Sequence, residues 1–324
     1  PELYTRSNLL HQLGLYARYG VTTVFSLGGD DQAGFTLRDE QDLSLDRARL
    51  FVAGPVVNGA TAEDVEPLVD EIAGMGADMI KIRVDDNLGS TTKMPEEAWR
   101  AVIERAHEHG LRVAAHVFYL DDAKRLLEMG TGMVAHSVRD TDVDDSFINA
   151  LIANDVCYVP TLTREISTFV YAERPGFFDN DFFTELSDQR EIARVSEPAF
   201  MERMRESPAA AGYRVALQQA LRNLKTLVDA GAPVTFGTDA GPAARFPGFF
   251  EHLELAVMVR AGIRPDQALY AATGQAAACL GLEDVGTLEV GNWADFLVLA
   301  SSPMDDITNT QTLEQVYVAG KPLR

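Results

Sequence analysis

The sequence predicts an α/β chain built as a TIM-type (β/α)8 barrel. Three observations carry that prediction: short apolar runs recur, amphipathic helical patterns separate them, and glycines close those helices just before the next run. Runs that stay apolar, instead of alternating with polar residues, mark strands buried on both faces, as in a parallel sheet covered by helices.

The runs are Val21-Thr-Thr-Val-Phe-Ser, Leu50-Phe-Val-Ala-Gly, Met79-Ile-Lys-Ile-Arg-Val, Val113-Ala-Ala-His-Val-Phe, Met133-Val-Ala-His, Cys157-Tyr-Val-Pro-Thr-Leu and Val234-Thr-Phe-Gly-Thr-Asp. Between them, Met94-Pro-Glu-Glu-Ala-Trp opens a proline-started helix that should end at His109-Gly110. Gly20, Gly76, Gly110, Gly130 and Gly231 sit where a left-handed residue turns a helix end back into the sheet. The chain begins with a helical pattern, Tyr4 to Tyr19, so the first barrel strand is expected before Pro1. The barrel domain is expected over residues 1–284. It carries a helical, lid-like insertion from about 163 to 214, between barrel strands seven and eight. Residues 285–324 change character, to turn-rich and then β, with a final hairpin from Leu313 to Arg324, and are expected to form a small β-sandwich portion.

Composition narrows the function. With 49 acidic and 28 basic side chains the formal net charge is −21, which disfavours nucleic acid and anionic membrane surfaces as partners. No apolar stretch approaches the roughly 20 residues that span a bilayer. The two cysteines, Cys157 and Cys279, fit no zinc or redox spacing, and Cys157 is expected to be a small buried hydrophobe without a disulfide framework around it. A small-molecule substrate is the expected partner, with association into a homo-oligomer and the compartment left open.

On a TIM barrel, chemistry sits at the C-terminal ends of the strands. Polar residues that interrupt or end apolar runs there are therefore the candidates: Lys81, His116, His136 and Asp239. Singly, each has an ordinary reading. A strand-end histidine is usually a hydrogen-bonded core residue, a strand-end aspartate caps the next helix, and a lysine in an apolar strand is costly unless paired or modified. Together they place four residues of metal-binding type at equivalent positions on one mouth, and neutral imidazoles with a carboxylate suit zinc or a similar divalent ion.

The phrases Gly76-Ala-Asp-Met-Ile-Lys-Ile, the histidines of the next two runs, Gly237-Thr-Asp-Ala-Gly, Ala271-Ala-Thr-Gly-Gln-Ala-Ala-Ala-Cys-Leu-Gly and Gly286-Thr-Leu-Glu-Val-Gly-Asn-Trp-Ala-Asp-Phe-Leu-Val-Leu together resemble the amidohydrolase superfamily. The branch indicated is the imidazolonepropionase-like and Xaa-Pro dipeptidase-like one. The resemblance implies two divalent metal ions, zinc by preference, bridged by a carboxylated Lys81. His116 and His136 would then hold one metal and Asp239 the other. It further implies metal-activated hydroxide as nucleophile, with Asp239 as general base and then acid. The family's His-x-His pair is absent from this sequence, in keeping with an upstream first strand. Where many relatives carry a tyrosine two residues after the first histidine, Phe118 stands here and Tyr119 follows.

Tyr119, Arg139 and Arg164 are the candidate substrate-binding residues, the arginines through two-pronged contact with a carboxylate. Salt bridges to Asp140, Asp142 or Glu165 are the alternative for both. Asp30 and Asp31 either line the mouth or form a turn, and His252 is expected on a helix surface. The activity expected is hydrolysis of a C–N bond, the amide of a dipeptide or an N-acyl amino acid. Lactone or phosphotriester hydrolysis is the alternative on the same centre, a deaminase ranks lower, and a catalytically silent barrel acting as a binding protein is the non-enzymatic reading.

Overall fold

The computed structural model describes residues 4–40 and 45–323. Helix α1 (Arg6–Arg18) leads into β1 (Thr23–Ser26), and α2 (Gln32–Asp39) into β2 (Arg49–Val52). Thereafter strand and helix alternate: α3 (Ala62–Gly74), β3 (Ile80–Arg83), α4 (Glu96–Glu108), β4 (Val113–His116), α5 (Leu120–Glu128), β5 (Met133–Ala135), α6 (Asp145–Ala153) and β6 (Cys157–Val159). All strand pairs among these are parallel.

The local reasons are plain in the sequence. In α3 the Thr61 side chain caps the Asp64 N–H and Asp64 caps back, while Val65, Val69 and Ile72 recur at helical spacing and are fully or almost fully buried. Each such side chain contributes about 1.5–3 kcal/mol by leaving water. The five helix-closing glycines all adopt positive φ, from 71° at Gly110 to 92° at Gly130, which a side chain would strain.

The parallel strands form two sheets, β1–β2 and β3–β4–β5–β6, joined by a bridge between Val57 and Ile82. The run at Val234 touches β6 through one bridge, Val234 to Tyr158, and is not a regular strand. Among the described residues nothing pairs with its far side or with the outer edge of β1, so the strands follow a TIM-barrel-like order without closing a ring.

Residues 162–229 are helical: α7 (Leu162–Ser167), two 3-10 turns, α8 (Asp181–Thr184), α9 (Gln189–Val195), α10 (Pro198–Glu206) and the long α11 (Pro208–Asp229). Their aromatic side chains Tyr171, Phe178 and Phe183 pack with Tyr19 of the first helix end and with Phe246, Phe249 and Phe250, which lead into α12 (Phe249–Arg260). After α13 (Pro265–Ala271) and α14 (Gly274–Leu280), the strands β7 (Phe296–Leu299), β8 (Leu313–Val318) and β9 (Lys321–Pro322) form one antiparallel sheet. The final hairpin is present as β8–β9, and Arg324 lies outside the described residues. A buried Arg49–Asp295 ion pair, with the Arg49 guanidinium 4.6 Å over the Trp293 ring, fastens this region to β2. Among the described residues no helix is long and apolar enough to cross a membrane.

Two expectations are corrected. Cys157 and Cys279 form a disulfide that ties β6 to α14; their separation of 122 residues hid a proximity that only the fold creates. His252 is buried, not on a helix surface. Its Nε2–H donates to the Tyr19 carbonyl at 2.8 Å, and Nδ1 is hydrogen-bonded with the Thr310 hydroxyl at 2.9 Å. Glycine-turned α12 points this face inward, and the aromatic cluster covers it.

Burial pushes the His252 pKa down to about 4, from an ordinary value of 6.5. Because the folded value is the lower one, stability is intact above pH 6.5 and is lost as pH falls through about 4. The loss attributable to this residue is on the order of 3 kcal/mol at its limit. Urea unfolding of wild type and His252→Gln across this range should show their stability gap shrinking toward acid; a pH-independent gap would contradict a buried neutral His252.

Candidate active site

The parallel sheet brings polar side chains to one end of an apolar interior. Lys81 is the second residue of β3, His116 the last of β4, and His136 follows β5. All three are buried. The two imidazole rings lie 4.0 Å apart between centroids, tilted by 58°. The Lys81 charge is felt by both histidines, and the Asp239 charge by Lys81, so the four candidates share one electrostatic neighbourhood.

Each histidine is oriented from behind. His116 Nε2–H donates to Asp85, a carboxylate with no exposed surface, and this bond and charge hold Asp85 below the usual carboxylate range against the opposing effect of burial. His136 Nδ1 is hydrogen-bonded with the Thr161 hydroxyl at 2.7 Å. Burial drives the His116 pKa down to about 3 and that of His136 well below normal, so both rings are neutral. Burial also lowers Lys81 to about 8, offset in part by Asp239. Among the described residues the Lys81 ammonium forms no hydrogen bond or ion pair.

The backbone is strained where these side chains are presented. His136, Thr161 and Asp239 have φ of 71°, 48° and 57°, in the left-handed region that non-glycine residues avoid. Each costs on the order of 1–3 kcal/mol, and such outliers cluster at working sites.

Around the four candidates runs a chain of buried ion pairs. Arg139 Nε lies 3.2 Å from Glu165 Oε1, Arg164 donates to the same oxygen at 2.7 Å, and Arg164 Nε lies 3.6 Å from Asp239 Oδ2. Arg245 donates to Asp239 Oδ2 as well. Arg139 does not reach the mouth. Its side chain is fully buried, donates to the Val117 carbonyl at 2.9 Å and to that of Ser137, and lies 4.5 Å over the Phe118 ring. Arg164 pairs with Glu165 and lies over Tyr213 of α11 at 5.3 Å. Tyr119 donates to Asp86 at 2.9 Å beneath the Lys93 ammonium. Asp31 caps α2, the turn alternative for that pair, whereas Asp30 is buried, with its pKa raised to about 6 by burial.

The donor set fits a divalent metal in kind: two neutral imidazoles with an amine, unpaired among the described residues, beside them, and a carboxylate within electrostatic reach. Among the described residues, however, no three His, Cys, Asp or Glu side chains converge as a ready ligand cluster. Asp85 is turned to His116 and Asp239 to two arginines.

Sequence reasoning missed Asp85 and Arg245 as members of this site. Asp85 carries a signal of the kind used for Asp239, a carboxylate just past an apolar run, whereas Arg245 lies in a loop without periodicity. Glu165 was legible only as a salt-bridge partner.

The sequence profile of the amidohydrolase family matches residues 16–323. An imidazolonepropionase of Deinococcus deserti is 47% identical over 100 residues, which cover 30% of this chain and 25% of that protein. An uncharacterised protein of Mycobacterium tuberculosis is 27% identical over 284 residues, 86% of this chain and 66% of its own length. The matches thus span a quarter of the imidazolonepropionase and about two thirds of the mycobacterial protein. A solved structure of an Xaa-Pro dipeptidase with methionine bound in its active site superposes with a TM-score of 0.77 at 22% identity, covering 100% of this chain and 81% of that one.

Glu165 holds two buried guanidiniums, so Glu165→Gln should cost about 3 kcal/mol by leaving cations uncompensated. Denaturant unfolding measures this, and a change under about 0.5 kcal/mol, the level of an ordinary surface substitution, would show that the network is not structural.

Proposed function

The chain belongs to the amidohydrolase family, and from that premise we propose that it is a metal-dependent hydrolase of C–N bonds, acting on the amide of a dipeptide or an N-acyl amino acid. The observation that carries the reading is the juxtaposition of His116 and His136, neutral and oriented from behind at the ends of β4 and β5, with Lys81 of β3 and Asp239 in the same electrostatic neighbourhood. In this reading the parallel strands belong to a (β/α)8 barrel over residues 1–284 with a lid at about 163–214, and residues 285–324 to a β-sandwich.

His116, His136 and Asp239 would hold two divalent ions, zinc by donor type, with Lys81 carboxylated as the bridge. When bound, the metal supplies polarisation of the scissile carbonyl and a more acidic water. Asp85 fixes the tautomer of His116 by taking its Nε2 proton as a hydrogen bond, leaving Nδ1 as the lone-pair nitrogen. The Thr161 hydroxyl, hydrogen-bonded with Nδ1, holds the orientation of the His136 ring. Asp239, partly exposed at the mouth, accepts a proton from the attacking water and returns it to the leaving nitrogen. Carboxylation resolves the burial of Lys81, because a carbamate is anionic where a free ammonium would be an uncompensated cation. Arg164 and Tyr119 border the substrate, while Arg139 acts behind them by holding Glu165.

Lys81→Ala is expected to lose bound metal and hydrolysis together, and bicarbonate to help reconstitute the wild type. Elemental analysis reads the first, and turnover of N-acyl amino acids, dipeptides, lactones and phosphotriesters the second. Full metal content and turnover in the alanine variant would remove the bridging role. Lactone turnover without amide turnover would favour the ester-hydrolase alternative, and absence of metal from the wild type would favour a silent binding protein.

A further inference from the structure

Two guanidiniums from different parts of the fold converge on one carboxylate oxygen. Arg245, in the loop before α12, donates to Asp239 Oδ2 and, at 2.9 Å, to the Asp239 carbonyl. Arg164 of α7 places its Nε 3.6 Å from the same Oδ2. Arg245 also donates to the Ser167 hydroxyl of α7 at 3.2 Å, so one short helix positions both cations. Their side chains are largely withdrawn from water, at 8% exposure for Arg164 and 16% for Arg245. Beneath Arg164 lies Tyr213 of the helical insertion, a buried tyrosine whose hydroxyl forms no hydrogen bond among the described residues.

The other carboxylates of the network are already committed, Asp85 to His116 and Arg139, and Glu165 to Arg139 and Arg164. Within this network Asp239 is therefore the counter-ion left for Arg245. Asp239 cannot both serve this pair and exchange protons with a reacting water through the same oxygen. When it turns to that work, Arg245 loses its counter-ion and Arg164 keeps only Glu165, which is unfavourable unless another anion takes the place.

We propose that Arg164 and Arg245 form the seat for a carboxylate of the substrate, that Tyr213 adds a hydroxyl donor from the insertion, and that Asp239 fills this seat when no substrate is bound. Binding of the substrate's anion then releases Asp239 into its working position, so an anionic substrate is favoured over its neutral analogue for the chemical step as well as for binding. The release of Asp239 rests on the hydrolase reading above; the anion seat does not.

The test uses the full chain, treated with chelator and desalted so that no metal ion can hold the probe. Binding of N-acetylglycine and of its neutral counterpart N-acetylglycinamide is measured by ligand-observed NMR. N-acetylglycine should bind at least about tenfold more tightly than the amide, and Arg245→Gln should weaken it by about tenfold, with Arg245→Lys intermediate. Asp239→Asn, which removes the resident anion, should tighten N-acetylglycine by about tenfold. That opposite direction is not expected of a merely structural residue, and it decides the matter even if Arg245→Gln fails to fold. Equal affinity for the two probes, no binding of N-acetylglycine, an unchanged folded Arg245→Gln, or unchanged or weakened binding in Asp239→Asn would each overturn the seat. This binding pattern in a chain that hydrolyses no amide would retire the hydrolase reading and leave the seat standing.

Discussion

Charged groups buried at one end of an apolar parallel sheet must find counter-charges there, because water is not available to them. Arg139 and Arg164 lie in that position, with Asp85 and Glu165 buried among them. The resulting chain of pairs runs from His116 through Asp85, Arg139, Glu165 and Arg164 to Asp239 and Arg245. It spans the C-terminal ends of the strands and the start of the helical insertion. One set of electrostatic contacts therefore fixes the histidines, the arginines and the lid-side helix α7 with respect to each other.

Two further anchors keep this region in place. Glu254 of α12 accepts from the Leu162 and Thr163 backbone N–H groups, each at 2.7 Å, and from the Thr163 hydroxyl, so α7 is gripped from outside as well as from within. The aromatic cluster around Phe183, Phe246 and Phe249 seats the rest of the insertion. Thr161 directly precedes the residues Glu254 holds and its hydroxyl bonds the His136 ring, so both strained residues are tied to this anchor. The working groups are thus presented from a rigid base, while Asp239, at the partly exposed end of the ion-pair chain, is the member best placed to change partner.

Much of this was legible in the sequence because it follows from periodicity. Apolar runs ending at His116 and His136 and glycines such as Gly76 and Gly130 specify parallel strands joined to helices, and strand ends specify where chemistry sits. What was not legible depends on tertiary proximity. The Cys157–Cys279 bond, the inward face of His252 and the convergence of Arg245 with Arg164 join segments with no sequence relation. Arg139 illustrates the boundary well. Its place just past a strand suggested a substrate-facing guanidinium, yet stacking on Phe118 and bonding to two carbonyls seal it behind the mouth. The single bridge at Val234 likewise shows that strand composition alone does not make a regular strand where the pairing is limited to one bridge.

The central claim is that the paired imidazoles form a metal centre. Crystals of the protein grown with zinc, measured on both sides of the zinc absorption edge, test it directly. The anomalous difference map should show zinc within bonding distance of His116 and His136 (roughly 2.0–2.1 Å to nitrogen), beside Lys81 and Asp239. Zinc found only elsewhere, with His116 and His136 left bonded to Asp85 and Thr161 alone, would contradict it.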